Sequence, residues 1–170
     1  MKKNILRIIT AALLLAVALG AFAACTQKGN EVDNGEEDMF VIKYNGETVA
    51  LDGDAKKVVA KIGEPVSKQS TGNCGGLGET VRYDYSSFIM IVVEYESGAR
   101  VDQIEIKNDL VATTGGVTIG SSETTVKNTY GEPNETKNST LVYKNGSKVM
   151  YVGIEDGYVS TLTLRIVSDN

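Results

Sequence analysis

Leu51-Asp-Gly-Asp54-Ala-Lys-Lys-Val58-Val-Ala-Lys-Ile62-Gly63-Glu64-Pro65 aligns without gaps on Ile119-Gly-Ser-Ser122-Glu-Thr-Thr-Val126-Lys-Asn-Thr-Tyr130-Gly131-Glu132-Pro133, 68 residues further along the chain. Each stretch reads as a short helix. An Asp or Ser caps its start, a valine and an Ile or Tyr four residues later share one face, and Gly-Glu-Pro ends it. Glycine supplies the left-handed residue past the last turn, and proline forbids continuation. The second helix carries Thr124, Thr125, Asn128 and Thr129, which are poor helix formers, so packing must hold it.

Outward from these helices the chain alternates apolar with polar residues. Arg100-Val-Asp-Gln-Ile104-Glu-Ile106 matches Tyr158-Val-Ser-Thr-Leu162-Thr-Leu164 at an offset of 58, and Ile104, Ile106, Leu162 and Leu164 are expected to point inward. Between helix and last strand, Glu79 to Tyr85 with Ser87 to Tyr95, and Ser139 to Lys144 with Lys148 to Ile154, read as strand pairs. Asn145-Gly146 makes the latter a tight hairpin, and Tyr44-Asn45-Gly46-Glu47 signals another at the start of the domain. The expected fold is α+β: two tandem repeats, 39–108 and 109–170, each a helix followed by an antiparallel meander, sharing a curved sheet. The difference of ten between the offsets falls around Ser70-Thr-Gly72-Asn-Cys74-Gly75-Gly76-Leu77-Gly78. That surplus is either a functional loop or a tolerated insertion.

The N-terminus reads as an export signal. Lys2, Lys3 and Arg7 precede an apolar run from Ile8 to Leu19, and small residues lead to Ala23-Ala24-Cys25. Residues 1–24 are expected to be removed and Cys25 to carry fatty acyl chains, each buried methylene contributing ~0.8 kcal/mol, so that the membrane anchor is permanent. A transmembrane helix competes, since Ile5 to Ala24 is long enough for ~30 Å of hydrocarbon. Phe22 stands where leucine is usual, so ordinary cleavage giving a secreted product is a further alternative. Residues 25–38 are then an acidic tether with no apolar periodicity. Its thirteen residues from Thr26 to Asp38 reach at most ~45 Å and average ~20 Å as a coil, which keeps the folded part near the lipid surface.

Loss of the three leader cations takes the net charge from −5 to −8, which gives no electrostatic attraction to nucleic acid. The chain has no histidine, so Ser-His and Cys-His nucleophiles and histidine metal sites are excluded. The glycine cluster follows a helix and precedes a strand, the reverse of a phosphate-binding loop, so no nucleotide is expected. Glu31 to Asp38 lack the ligand order of a calcium loop. No metal and no cofactor is expected. Asn134, Asn138 and Asn145 fit glycosylation sequons but read as turn residues behind a bacterial signal.

Two features are left for function. Cys74 is either a reactive thiol or a small half-buried residue, and no basic side chain lies between Lys68 and Arg82 to activate it. Tyr83, Tyr85, Tyr95, Tyr143 and Tyr151 fall on strands, where they either form an aromatic binding face or pack as ordinary strand tyrosines. Phe88-Ile-Met-Ile-Val-Val93 is apolar on both faces, so its strand is covered on both sides or exposes apolar area.

Gly120 to Pro133, followed by a hairpin and a final strand, resembles a motif of small lipoproteins of Gram-positive, clostridia-type bacteria. Cys74, Val81-Arg-Tyr83-Asp-Tyr85 and Thr114-Gly-Gly-Val-Thr-Ile119 extend the likeness over Val41 to Ile166. More distantly, the tandem units are similar to β-lactamase inhibitory protein and to the small outer-membrane assembly lipoprotein that shares its fold. That resemblance implies protein binding through a sheet face without catalysis, and no individual binding residue carries over. The sequence therefore predicts a lipid-anchored binding or scaffolding module outside the cytoplasm, with a protein or cell-wall partner. A thiol-dependent enzyme or redox protein centred on Cys74, with Gly75 and Gly76 in its loop, and a purely structural envelope component are the alternatives.

Overall fold

The computed structural model of the chain describes residues 38–73 and 78–167. Among the described residues eleven strands and two short helices follow one another. They are β1 (Val41–Tyr44), β2 (Glu47–Ala50), α1 (Ala55–Ile62), β3 (Ser67–Asn73), β4 (Glu79–Asp84), β5 (Phe88–Tyr95), β6 (Gly98–Ile106), β7 (Ala112–Thr113), α2 (Glu123–Tyr130), β8 (Glu135–Lys137), β9 (Thr140–Asn145), β10 (Lys148–Glu155) and β11 (Tyr158–Ile166). They form a three-stranded sheet, β2-β1-β7, and an eight-stranded antiparallel sheet in the order β3-β4-β5-β6-β11-β10-β9-β8. In the larger sheet β6 and β11 meet at the centre through Leu162 opposite Ile106 and Leu164 opposite Ile104.

The α+β expectation is corrected. Strands hold 54% of the described residues and helices 13%, so the fold is mostly β, and a helix-plus-meander repeat does not describe it. Two features escaped the periodicity argument. β3 is wholly polar and β8 is three exposed residues, so neither shows the alternation of a half-buried strand. The start-of-domain hairpin is part of a separate sheet, because the two-residue β7 adds to β1 through Ile42 opposite Thr113. Part of the supposed glycine-rich loop is strand: Ser70 to Asn73 belong to β3, which bulges between Ser70 and Gly72. Residues 74–77 lie outside the described residues.

Most of the core lies on one face of the large sheet, although Ile89, Val142 and Val149 on the other face are buried as well. Successive cross-strand partners Tyr83, Met90, Ile104, Leu164, Met150 and Tyr143 form one buried row, and Phe88, Ile106, Leu162, Val152 and Leu141 form the next. Phe40, Ile42, Val49 and Leu51 from the first hairpin and Val58, Ile62 and Val126 from the helices complete the cluster. Burial contributes roughly 1.5–3 kcal/mol for each large aliphatic or aromatic side chain.

The helices are eight residues each, too short to hold without tertiary support. Asp54 accepts hydrogen bonds from the Lys56 and Lys57 amides, and Ser122 accepts one from the Thr125 amide. Gly63 and Gly131 end them at φ of +90° and +77°, a backbone region that glycine enters without steric cost. The sheet then takes over as anchor. Tyr85 donates its hydroxyl to the Gly63 carbonyl at 3.0 Å, and Tyr143 donates to the Gly131 carbonyl at 3.1 Å.

Candidate functional site

The five tyrosines predicted to form a surface are divided between the two faces of the sheet. Tyr83, Tyr85 and Tyr143 are 8%, 4% and 2% exposed and belong to the core, so the expectation of one aromatic face is corrected. Strand parity decides this for Tyr83 and Tyr143, which share rows with buried Met90 and Met150, while Tyr85, one residue past the end of β4, donates its amide to the Phe88 carbonyl and joins the same core cluster. Tyr85 stacks on Phe88 with ring centroids 4.8 Å apart, and Tyr130 meets Tyr143 edge-on at 5.9 Å. Only Tyr95 and Tyr151 fall on the second face. Cys25, the leader, most of the tether, Cys74, Gly75 and Gly76 lie outside the described residues. Among the described residues no helix is long and apolar enough to cross a membrane, and no group of three potential ligands is placed to hold a metal.

The second face is itself patterned. One row crosses the sheet as Asp84, Ile89, Glu105, Thr163, Tyr151 and Val142, and the next as Arg82, Ile91, Gln103, Arg165, Val149 and Lys144. Ile89, Ile91, Val93 and Tyr95 therefore make β5 apolar on this side, while β10 contributes Val149 and Tyr151; Ile89, Val142 and Val149 are buried, which leaves Ile91, Val93, Tyr95 and Tyr151 as the accessible apolar side chains of these strands. The central strands β6 and β11 place Gln103, Glu105, Thr163 and Arg165 between them. At the margin Asp84 meets Arg82 at 3.6 Å and Lys107 at 3.4 Å. The Ser86 amide, bonded to Asp84 at 2.8 Å, holds that carboxyl below its ordinary value, with the cations adding to the effect.

A cleft of about 310 Å³ opens where β6 changes partner. Over Gln103 to Ile106 the outer edge of β6 pairs with β11; nearer its start, Val101 instead exchanges hydrogen bonds with Asp52 and Gly53, at 2.8 and 3.0 Å. Asp52, Val93, Tyr95, Arg100, Asp102 and Ile166 line its walls. Asp102 is there because β6 bulges: Ile91 opposes Gln103 and Val92 opposes Val101, which leaves Asp102 as the extra residue. Burial, the larger influence, pushes its carboxyl up, while Arg165 pulls it down. Arg100 is engaged by the Asp52 carboxylate.

Sequence reasoning did not single out Asp52, Arg100 or Asp102. A signal was present, because strict alternation breaks at Val101-Asp-Gln-Ile104 and again at Val159-Ser-Thr-Leu162. Two polar residues between inward-facing apolar ones mark a bulge.

No protein-family model matches the chain, and no curated protein matches it. Among solved structures the chain is similar to the crystal structure of YjgB, a DUF4309 family protein from Bacillus subtilis, at 16% identity and a TM-score of 0.38. The match covers 68% of this chain and 79% of that one.

Proposed function

We propose that the protein is a lipid-anchored binding or scaffolding module outside the cytoplasm, without catalytic activity, which holds a protein or cell-wall partner on the second face of its large sheet. The observation that carries this proposal is the register: on the side away from most of the core, the accessible side chains Ile91, Val93 and Tyr95 of β5 and Tyr151 of β10 flank a polar strip on β6 and β11. Apolar contact area combined with oriented polar groups is the composition of a binding surface. Acylation at Cys25 and the short acidic tether would keep that surface close to the membrane.

A photoreactive amino acid at Gln103 or Tyr151 of the full chain, activated in intact cells, tests it. Discrete adducts are expected from both positions, with none from Lys56 or Thr129 on the helices. Equal adduct patterns from sheet and helices, or no adduct from either sheet position, would refute the binding face.

A further inference from the structure

The cleft at the β6 junction combines three properties that a basic side chain needs. Its walls include apolar Val93 and Ile166, which can cover an aliphatic stem. Tyr95, 40% exposed, offers a ring for a cation to stack on. Asp102 supplies a carboxylate that makes no hydrogen bond or ion pair among the described residues. The other charged groups of the wall, Asp52 and Arg100, are already engaged with each other, and Arg165 acts on Asp102 only from beyond bonding distance.

The bulge in β11 sharpens the contrast. There the extra residue is Ser160, and its hydroxyl donates to the Gly153 carbonyl at 3.3 Å. The fold thus satisfies a bulged side chain from within on one strand and leaves a half-buried carboxylate open on the other. A charge held in that state weakens the fold unless something from outside compensates it.

We infer that this cleft receives one lysine or arginine side chain of a polypeptide partner, its stem between Val93 and Ile166, its cation against Asp102 and the Tyr95 ring. The inference rests on the proposal that the second face binds a partner, and it identifies that partner as a protein with an exposed basic residue. An anion would meet two carboxylates and a single, already paired guanidinium, so the cleft discriminates by sign.

The full chain titrated with N-acetyl-arginine methylamide and N-acetyl-lysine methylamide, followed by amide NMR shifts, tests this directly. Saturable shifts confined to Val93, Tyr95, Asp102 and their neighbours are expected. The neutral isostere N-acetyl-citrulline methylamide should bind about tenfold more weakly, the difference between a charge-assisted and a neutral hydrogen bond. Asp102→Asn should remove that preference while leaving the remaining spectrum folded, and Tyr95→Leu should weaken both cations. Equal binding of citrulline, unchanged binding to Asp102→Asn, the absence of saturable shifts, or binding of N-acetylglucosamine in place of the cations would each overturn the inference. Adducts from Gln103 in cells combined with any of those results would leave the binding face standing and remove only its basic ligand.

Discussion

Tyr85 and Tyr143 lie 58 residues apart and perform the same task, tying the residue that ends each helix to the sheet. Burial raises both phenols from 10.0 to about 12, with nearby glutamates contributing. Because the folded value is the higher one, the stabilisation is complete below pH 10 and is lost as pH rises from 10 towards 12. Thermal melts across that range should show a falling midpoint. The double variant Tyr85→Phe, Tyr143→Phe should lose about 1 kcal/mol per hydroxyl at pH 8 yet show a flatter alkaline decline. Asp102 behaves differently at neutral pH. Its folded carboxyl is raised above the ordinary 3.8, so the folded state is favoured most at acid pH and loses stability as pH rises and the group ionises. Asp102→Asn should therefore raise the neutral-pH midpoint by about a degree, and the gain should vanish well below pH 4, as differential scanning calorimetry would show. At this scale the sequence placed Tyr83, Tyr95, Tyr143 and Tyr151 on strands, and Tyr85 one residue past the end of one, but not which way they point. Parity is set by neighbours such as Met90 and Met150, and a bulge reverses it.

The elements were legible to the extent that they follow a periodic rule. Both helix caps and both Gly-Glu-Pro stops could be read directly, since capping and left-handed glycine are local chemistry. Ser122→Ala and Asp54→Ala should each cost about 1 kcal/mol in denaturant unfolding, with a smaller loss on replacement by glycine. Strands β3 and β8 could not be read, because edge strands with solvent on both faces obey no alternation. Their polarity suits their place: β3 carries Lys68 and a bulge, and β8 is only three residues long, and both features discourage pairing with other chains. The cleft was missed for a related reason. It forms at a change of strand partner, a property of the sheet that no single segment encodes, although the broken alternation at Val101-Asp-Gln-Ile104 marked the spot.

At the scale of the whole molecule, one face of an eight-stranded sheet builds most of the core and the other, where Ile89, Val142 and Val149 are also buried, is the proposed partner surface. Alternation along β5, β6, β10 and β11 already contained that division, and Phe88 to Val93 is apolar on both sides because β5 serves both faces. The proportion of helix to strand was misjudged because two well-capped helices stand out in sequence while polar strands do not. The claim that the second face is the working surface is tested most directly by tyrosine footprinting, comparing the purified chain with the chain in intact cell envelopes. Tyr95 and Tyr151 should be modified in the purified protein and protected in the envelope, with buried Tyr83, Tyr85 and Tyr143 silent in both. Equal modification of Tyr95 and Tyr151 in the two settings would contradict it.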